Sequence, residues 1–240
     1  MEPMATATEI TNMKARFEQE VASEKLTPLQ KASYKIQKGW LNEKVGLVEI
    51  IAYPGWLITI ATLKNAYAIN IAGYGGPGVP KTNATYLTLL MVMQHPFSRG
   101  NTHINSSDPL APPQIDPRCL SKSIDLETLV YSVKFGQKLS KTEPLASIVV
   151  TRQDPAPDVT SDAAISEYIK ANIGSSHHSI GTVALAPKEH GGVVDTKLKV
   201  YGTANVRVAD ASIMPLHIGS HTQRTVYGIG EKAAKIIKST

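Results

Sequence analysis

Two histidines stand where the chain could move a proton. His178 lies in the string His177-His178-Ser179-Ile180-Gly181-Thr182, a tight Ser/Gly-rich turn just past a helix stop, which can present an imidazole to a cavity. His221 comes just before the final helical stretch, where unpaired amides and the positive end of the helix dipole penalise an imidazolium. A neutral imidazole there is suited to accept a proton, or to hydrogen-bond an alkoxide as it forms. By residue type alone, each also reads as an ordinary surface or core histidine. His217, in Leu216-His217-Ile218, is read as lining the pocket, with His177 behind it on the substrate side. Tyr53 and Trp56, in the apolar run 50–63, suggest a wall for a hydrophobic or aromatic small molecule. His95 and His103 are read as flanking a hairpin, and His190 sits in a glycine turn. Arg99 is read as fixing its turn through carbonyls or an aspartate. No His, Cys, Asp or Glu grouping has metal-ligand context, so no metal is expected. Ser212 lacks the G-x-S-x-G elbow of a serine nucleophile.

The two histidines belong to a longer pattern. After residues 177–182 come Gly191-Gly192-Val193-Val194-Asp195, Val200-Tyr201-Gly202, and Asn205-Val206-Arg207-Val208-Ala209-Asp210-Ala211-Ser212-Ile213-Met214-Pro215. Gly219-Ser220-His221-Thr222-Gln223 and Thr225-Val226-Tyr227 follow. In order and spacing this resembles the C-terminal motif block of the glucose-methanol-choline (GMC) flavoprotein oxidoreductases. Residues 95–118 resemble the substrate-domain segment of fungal choline-dehydrogenase-like and aryl-alcohol-oxidase-like members, and the resemblance runs from about residue 86 to the end. It implies that His178 removes the substrate hydroxyl proton while hydride passes to FAD, and that His221 assists. It further implies that Asp210 and Ala211 lie by the flavin's ribityl-pyrophosphate and that the amides of Thr222 and Gln223 face the isoalloxazine.

The resemblance does not extend to the family's N-terminal strand, G-x-G-x-x-G and acidic ribose ligand. Residues 73–78 have that glycine spacing, but Pro77 and Pro80 follow and no Asp or Glu appears between Gly78 and Asp108, so they read as a loop. Three readings therefore stay open. One is the substrate-binding and catalytic half of a flavin-dependent alcohol oxidoreductase, with FAD held by a missing segment or a partner chain. Another is a flavin-independent isomerase, dehydratase or cyclase that uses the histidine pair as general acid and base. The last is a non-catalytic remnant or interaction module.

The elements that must position these residues are legible by period. Ile10, Met13, Phe17 and Val21 recur at helical spacing, and Thr27-Pro28 offers an N-cap followed by proline for a second helix to about residue 41. Residues 45–63 favour short strands around Pro54-Gly55. Residues 86–94 read as a strand that turns through 95–100 into a second, 101–104, as an antiparallel hairpin. After the proline-rich link 109–117, Asp125 is expected to cap a helix with Leu126, Leu129, Val130 and Val133 on one face. A helix over 162–173 turns Ile165, Tyr168 and Ile169 inward and stops at Gly174. The last helix, about 222–238, has Val226, Ile229, Ala233 and Ile237 as its stripe. The fold class expected is α+β, an antiparallel sheet with covering helices.

Composition narrows the classes. With 240 residues, 42% hydrophobic and 19% charged, the chain can bury a sizeable core. Its net charge of +5 is scattered, without the basic block or aromatic interleaving of a nucleic-acid groove. One cysteine, Cys119, excludes a disulfide framework. Pro54-Gly55 interrupts the most apolar run, which falls short of the ~20 residues of a spanning helix. With no secretory pattern at the N-terminus, a cytoplasmic protein is expected, and Met1 before a cappable helix reads as a real start. Residues 1–84 are taken as a helical and apolar region serving as lid or dimer element, and 85–240 as the GMC-like substrate-binding and catalytic region. The final helix needs a cover for its apolar face, so a homodimer, or a lid from residues 6–42, is expected.

Overall fold

The computed structural model describes residues 4–43, 45–54, 68–72, 87–149, 151–152 and 154–239. Helices α1 (Ala7–Ala22) and α2 (Pro28–Trp40) precede strands β1 (Val48–Pro54), β2 (Ala68–Ala72), β3 (Leu87–Met93), β4 (Asn101–His103) and β5 (Gln114–Asp116). Helices α3 (Ser123–Leu139), α4 (Asp162–Asn172) and α5 (Gln223–Lys238) complete the order. The class is α+β, as the periodicities imply. Among the described residues, no helix is long and apolar enough to cross a membrane.

The chain divides into two compact units. The first comprises Met1–Glu18, Gly46–Gln94 and Lys122–His177. Its sheet has the antiparallel order β1-β3-β2, with Met91 opposite Ile50 on one side and Ile69 on the other. Five of β3's seven residues are buried, including neighbours Leu89, Met91 and Val92, so the strand is covered on both faces. Helix α3 lies against β3 and β2 and packs on α4. Leu129 and Val133 of α3 and Ile165 and Ile169 of α4 are fully buried. Each such aliphatic side chain contributes about 1.5–3 kcal/mol.

The second unit comprises Gln19–Val45, His95–Ser121 and His178–Thr240. Bridges Leu185 to Val194, Val194 to Val200 and Lys199 to Arg207 fold residues 185–207 back on themselves. Around buried Val194, Leu198 and Ile213 this gives a small core, onto which Ile229, Ala233 and Ile236 of α5 pack.

Three expectations are corrected. Strand 86–94 does not pair with 101–104: β1 and β2 occupy both edges of β3, leaving no edge free. Instead β4 pairs with β5, a strand inside the proline-rich link, with Thr102 opposite Ile115. Asp125 does not cap α3, which begins at Ser123 after Lys122; it is buried in the first turn, where a carboxylate suits the positive helix end. On α5 it is Ile236 that packs inward, whereas Ile237 is 53% exposed. Helix α4 ends with Ile173 in extended conformation, and Gly174 lies just beyond.

Thr27 and Pro28 stand as read. The Thr27 Oγ1 accepts from the Gln30 N–H at 3.2 Å, and the Gln30 Oε1 accepts from the Thr27 N–H at 2.9 Å, a complete capping box. Thr27→Ala is expected to cost about 1 kcal/mol, read as a lower urea midpoint. Thr27→Ser should keep the wild-type midpoint; if both variants do, the cap contributes nothing.

Candidate active site

Residues 183–185 place His178. The Val183 N–H donates to the Ser212 carbonyl at 3.0 Å and the Leu185 N–H to the Ile213 carbonyl at 2.8 Å, so the chain leaving the His178 turn is tied to 212–213. Gly181, at φ 86°, permits this approach: a Cβ there would lie 3.2 Å from the Met214 carbonyl oxygen. At the turn's other end His177 is itself left-handed, φ 60°, a conformation strained for a residue with a Cβ. Its N–H bonds to Ser175 Oγ at 2.9 Å, and it is exposed.

From Met214 the same strand of chain runs on through 217–221 into α5, and so returns to the turn. The rings of His178 and His221 meet edge to face, centroids 4.8 Å apart at 85°. The His217 ring is 6.4 Å from that of His178. His221 is exposed, while His178 and His217 are half-buried. The Nδ1 of His217 lies 2.7 Å from the Ile218 carbonyl oxygen. A carbonyl only accepts, so Nδ1 holds a proton, and in the neutral ring the lone pair is then on Nε2. Three imidazoles thus gather within one unit. Among the described residues, no group of three His, Cys, Asp or Glu side chains could hold a metal ion.

The start of α5 lies beside them. Thr222 is buried at the N-cap but its side chain makes no capping bond, and the first turn has no acidic residue. The amide donors that open this helix, from the exposed Gln223 onward, are therefore not met by an acidic side chain of their own turn, an arrangement suited to an electron-rich group. Asp210 heads a 3-10 turn, Ala211–Ile213, and its Oδ1 accepts from the Ser212 N–H at 2.8 Å and the Ser212 hydroxyl at 2.5 Å. The carboxylate is exposed, Ala211 is half-buried and Ile213 anchors the turn in the core. Tyr53 is the sixth residue of β1, paired with Thr88 of β3. Trp56 and the glycine-rich stretch 73–78 lie outside the described residues.

A family model described as GMC oxidoreductase matches residues 96–230. The chain belongs to the GMC oxidoreductase family. A dehydrogenase of Armillaria gallica is 34% identical to the GMC chain over 98% of this chain and 34% of its own length. A fungal aryl-alcohol oxidase structure superposes with a TM-score of 0.72 at 29% identity, covering 95% of this chain and 35% of that one. Aspergillus oryzae formate oxidase, described with its FAD, gives a TM-score of 0.63 at 31% identity over 68% of this chain and 28% of its own. The GMC chain spans 23–36% of the length of the curated relatives it matches.

The site also holds residues that sequence reasoning passed over. His95, read as flanking a hairpin, is 6% exposed. Its Nδ1 lies 2.9 Å from the His217 carbonyl oxygen, and its ring 4.5 Å from that of Trp40. Burial pushes its pKa below the ordinary imidazole value, and the bond to the His217 carbonyl pushes partly back. Gln37 of α2 donates from Nε2 to the His95 and Pro96 carbonyls at 3.2 and 2.9 Å. Arg99 donates to the Pro96 and Ser98 carbonyls, as its turn role requires, and also to Gln37 Oε1 at 2.6 Å. The available signal was Gln37 itself, a polar residue on the same helical face as Ser33 and Tyr34, which are buried with it.

Proposed function

We propose that this GMC chain is the substrate-binding and catalytic part of a flavin-dependent alcohol oxidoreductase, with His178 and His221 as its acid/base pair. The observation that carries the reading is the edge-to-face contact of those two rings at 4.8 Å. A neutral His178 takes the proton of a substrate hydroxyl, and His221, within one substrate atom's reach of it, hydrogen-bonds the oxygen that becomes an alkoxide. His217, with a proton on Nδ1 and a lone pair on Nε2, offers a further acceptor for a substrate hydroxyl. The uncapped first turn of α5, Thr222 and Gln223 foremost, and the turn headed by Asp210 and Ala211 are the residues that would hold FAD. FAD, when bound, supplies the hydride acceptor. The dehydrogenase and oxidase relatives support the redox half of this reading, and the apolar composition around Tyr53 and Trp56 supports a hydrophobic or aromatic alcohol as substrate.

Because the matched relatives are longer, the flavin is expected to need polypeptide beyond these residues. The test is an absorbance spectrum of the purified chain alone, with FAD, and with FAD plus the flavin-binding part of a GMC relative. A visible flavin band co-eluting with the chain in the third mixture is the expected result. A colourless chain in all three, still turning over a substrate through His178, would replace the redox reading by non-redox acid/base catalysis.

A further inference from the structure

We infer that His95 is a positioning residue for the His178 and His221 pair, clamping the backbone stretch 217–219 that leads into His221. The inference rests on the acid/base reading of that pair. The ring bonds the stretch at one end and faces it at the other. Its Nδ1, facing the His217 carbonyl at 2.9 Å, must carry the proton and donate. Its opposite edge faces Gly219 with room for about one methyl group between them, since a Cβ there would lie 3.4 Å from Nε2. One imidazole is therefore bonded to one end of a three-residue segment and faces the other.

The clamp is held in turn from α2. Trp40 packs against the ring at 4.5 Å, and Gln37 fixes the backbone of 95 and 96 through two hydrogen bonds. Gln37 is itself held by Arg99, whose guanidinium lies 5.6 Å over the Tyr34 ring, and Tyr34 stacks on Phe97 at 6.0 Å. Contacts thus run without a break from α2 to the segment that bears His217.

His95 Nε2 is buried with no hydrogen-bond partner among the described residues. Leaving such an acceptor unmet is costly, and an apolar side chain would fill the site without that cost. What the imidazole adds is the bond from Nδ1. That bond sets the direction of the His217 carbonyl, and with it the path of the peptide chain toward His221.

The experiment is solution NMR of the 240-residue chain with labelled histidine. In the wild type, the nitrogen shifts of His95 should report the tautomer protonated on Nδ1, and the ring protons of His178 and His221 should give a mutual cross-peak. His95→Leu is expected to lose that cross-peak. His95→Asn, whose amide nitrogen can stand near the Nδ1 position and donate, is expected to retain it, as is Val194→Ala, a core truncation that lowers stability without touching the clamp. Retention of the cross-peak in a folded His95→Leu protein overturns the inference, and so does loss in Val194→Ala, which would make the effect one of general stability. If His95→Leu does not fold, the wild-type tautomer decides: protonation on Nε2 overturns the clamp. None of these readouts depends on flavin or turnover. A clamp that stands while His178→Ala leaves catalysis intact would condemn the acid/base reading and not the positioning.

Discussion

Replacing His178 by alanine is expected to lower turnover of the flavin-reconstituted enzyme by about 10²–10⁴-fold, the usual contribution of a positioned general base. The half-buried His178 ring meets the edge or face of exposed His221 at 4.8 Å, so a hydroxyl placed against both can give its proton to one while bonded to the other. Alanine removes the acceptor and leaves the alkoxide to form unaided. The loss should fall on kcat, because in the proposed reaction His178 acts on a proton that moves only as the reaction proceeds. His221→Ala should cost less alone, and the double variant little more than His178→Ala, since groups that work as a unit are not additive. Steady-state rates at matched flavin content check this. A His178→Ala enzyme within threefold or so of wild type would leave the pair without a catalytic role.

The second large effect concerns folding. Gly192→Ala is expected to destabilise the chain by about 3 kcal/mol, at the upper end of what overpacking costs. A Cβ at Gly192 would lie 1.8 Å from the Ala186 carbonyl oxygen and 2.4 Å from its carbon, both backbone atoms that no rotamer can move aside. Relief would require opening the turn closed by the Gly192 N–H bond to the Pro187 carbonyl. That turn feeds the bridge between Leu185 and Val194, and Val194 is fully buried in the core under α5. Gly191 is the internal control. It is left-handed, φ 92°, but nothing lies within 4 Å of its would-be Cβ, so alanine there should cost only the conformational penalty, about 1–2 kcal/mol. Urea unfolding of the two variants side by side tests the contrast. Equal midpoints would mean that the turn yields freely.

What could be read from the residues follows the range of the forces involved. Thr27-Pro28, the helical period of 10–21 and the apolar stripe of the last helix are local, and the elements stand where those signals put them. Strand β3 was legible as a strand, but its partners were not. An apolar run shows that a strand is covered, while the identity of its neighbours is decided by distant chain, as Glu49 opposite Val92 illustrates. Strand β5 was missed because prolines at 112, 113 and 117 mark a link, although residues 114–116 between them keep their amides for β4. At the site, the motif order brought out His178 and His221, and no spacing rule could have given the angle at which their rings meet. His95 went unrecognised because its importance lies in what its ring bonds, the carbonyl of His217 more than 120 positions further on.

The division into two units has a bearing on biosynthesis. Each unit draws on three separate stretches, and the path alternates between them, from Met1–Glu18 to Gln19–Val45, Gly46–Gln94, His95–Ser121, Lys122–His177 and finally His178–Thr240. No single cleavage of the gene would yield either unit whole. On a ribosome, the first unit can close once residue 177 has emerged, whereas α2 and the 95–121 segment must wait, half-clothed, for the C-terminal stretch. The histidine pair therefore comes from the stretch that completes the second unit.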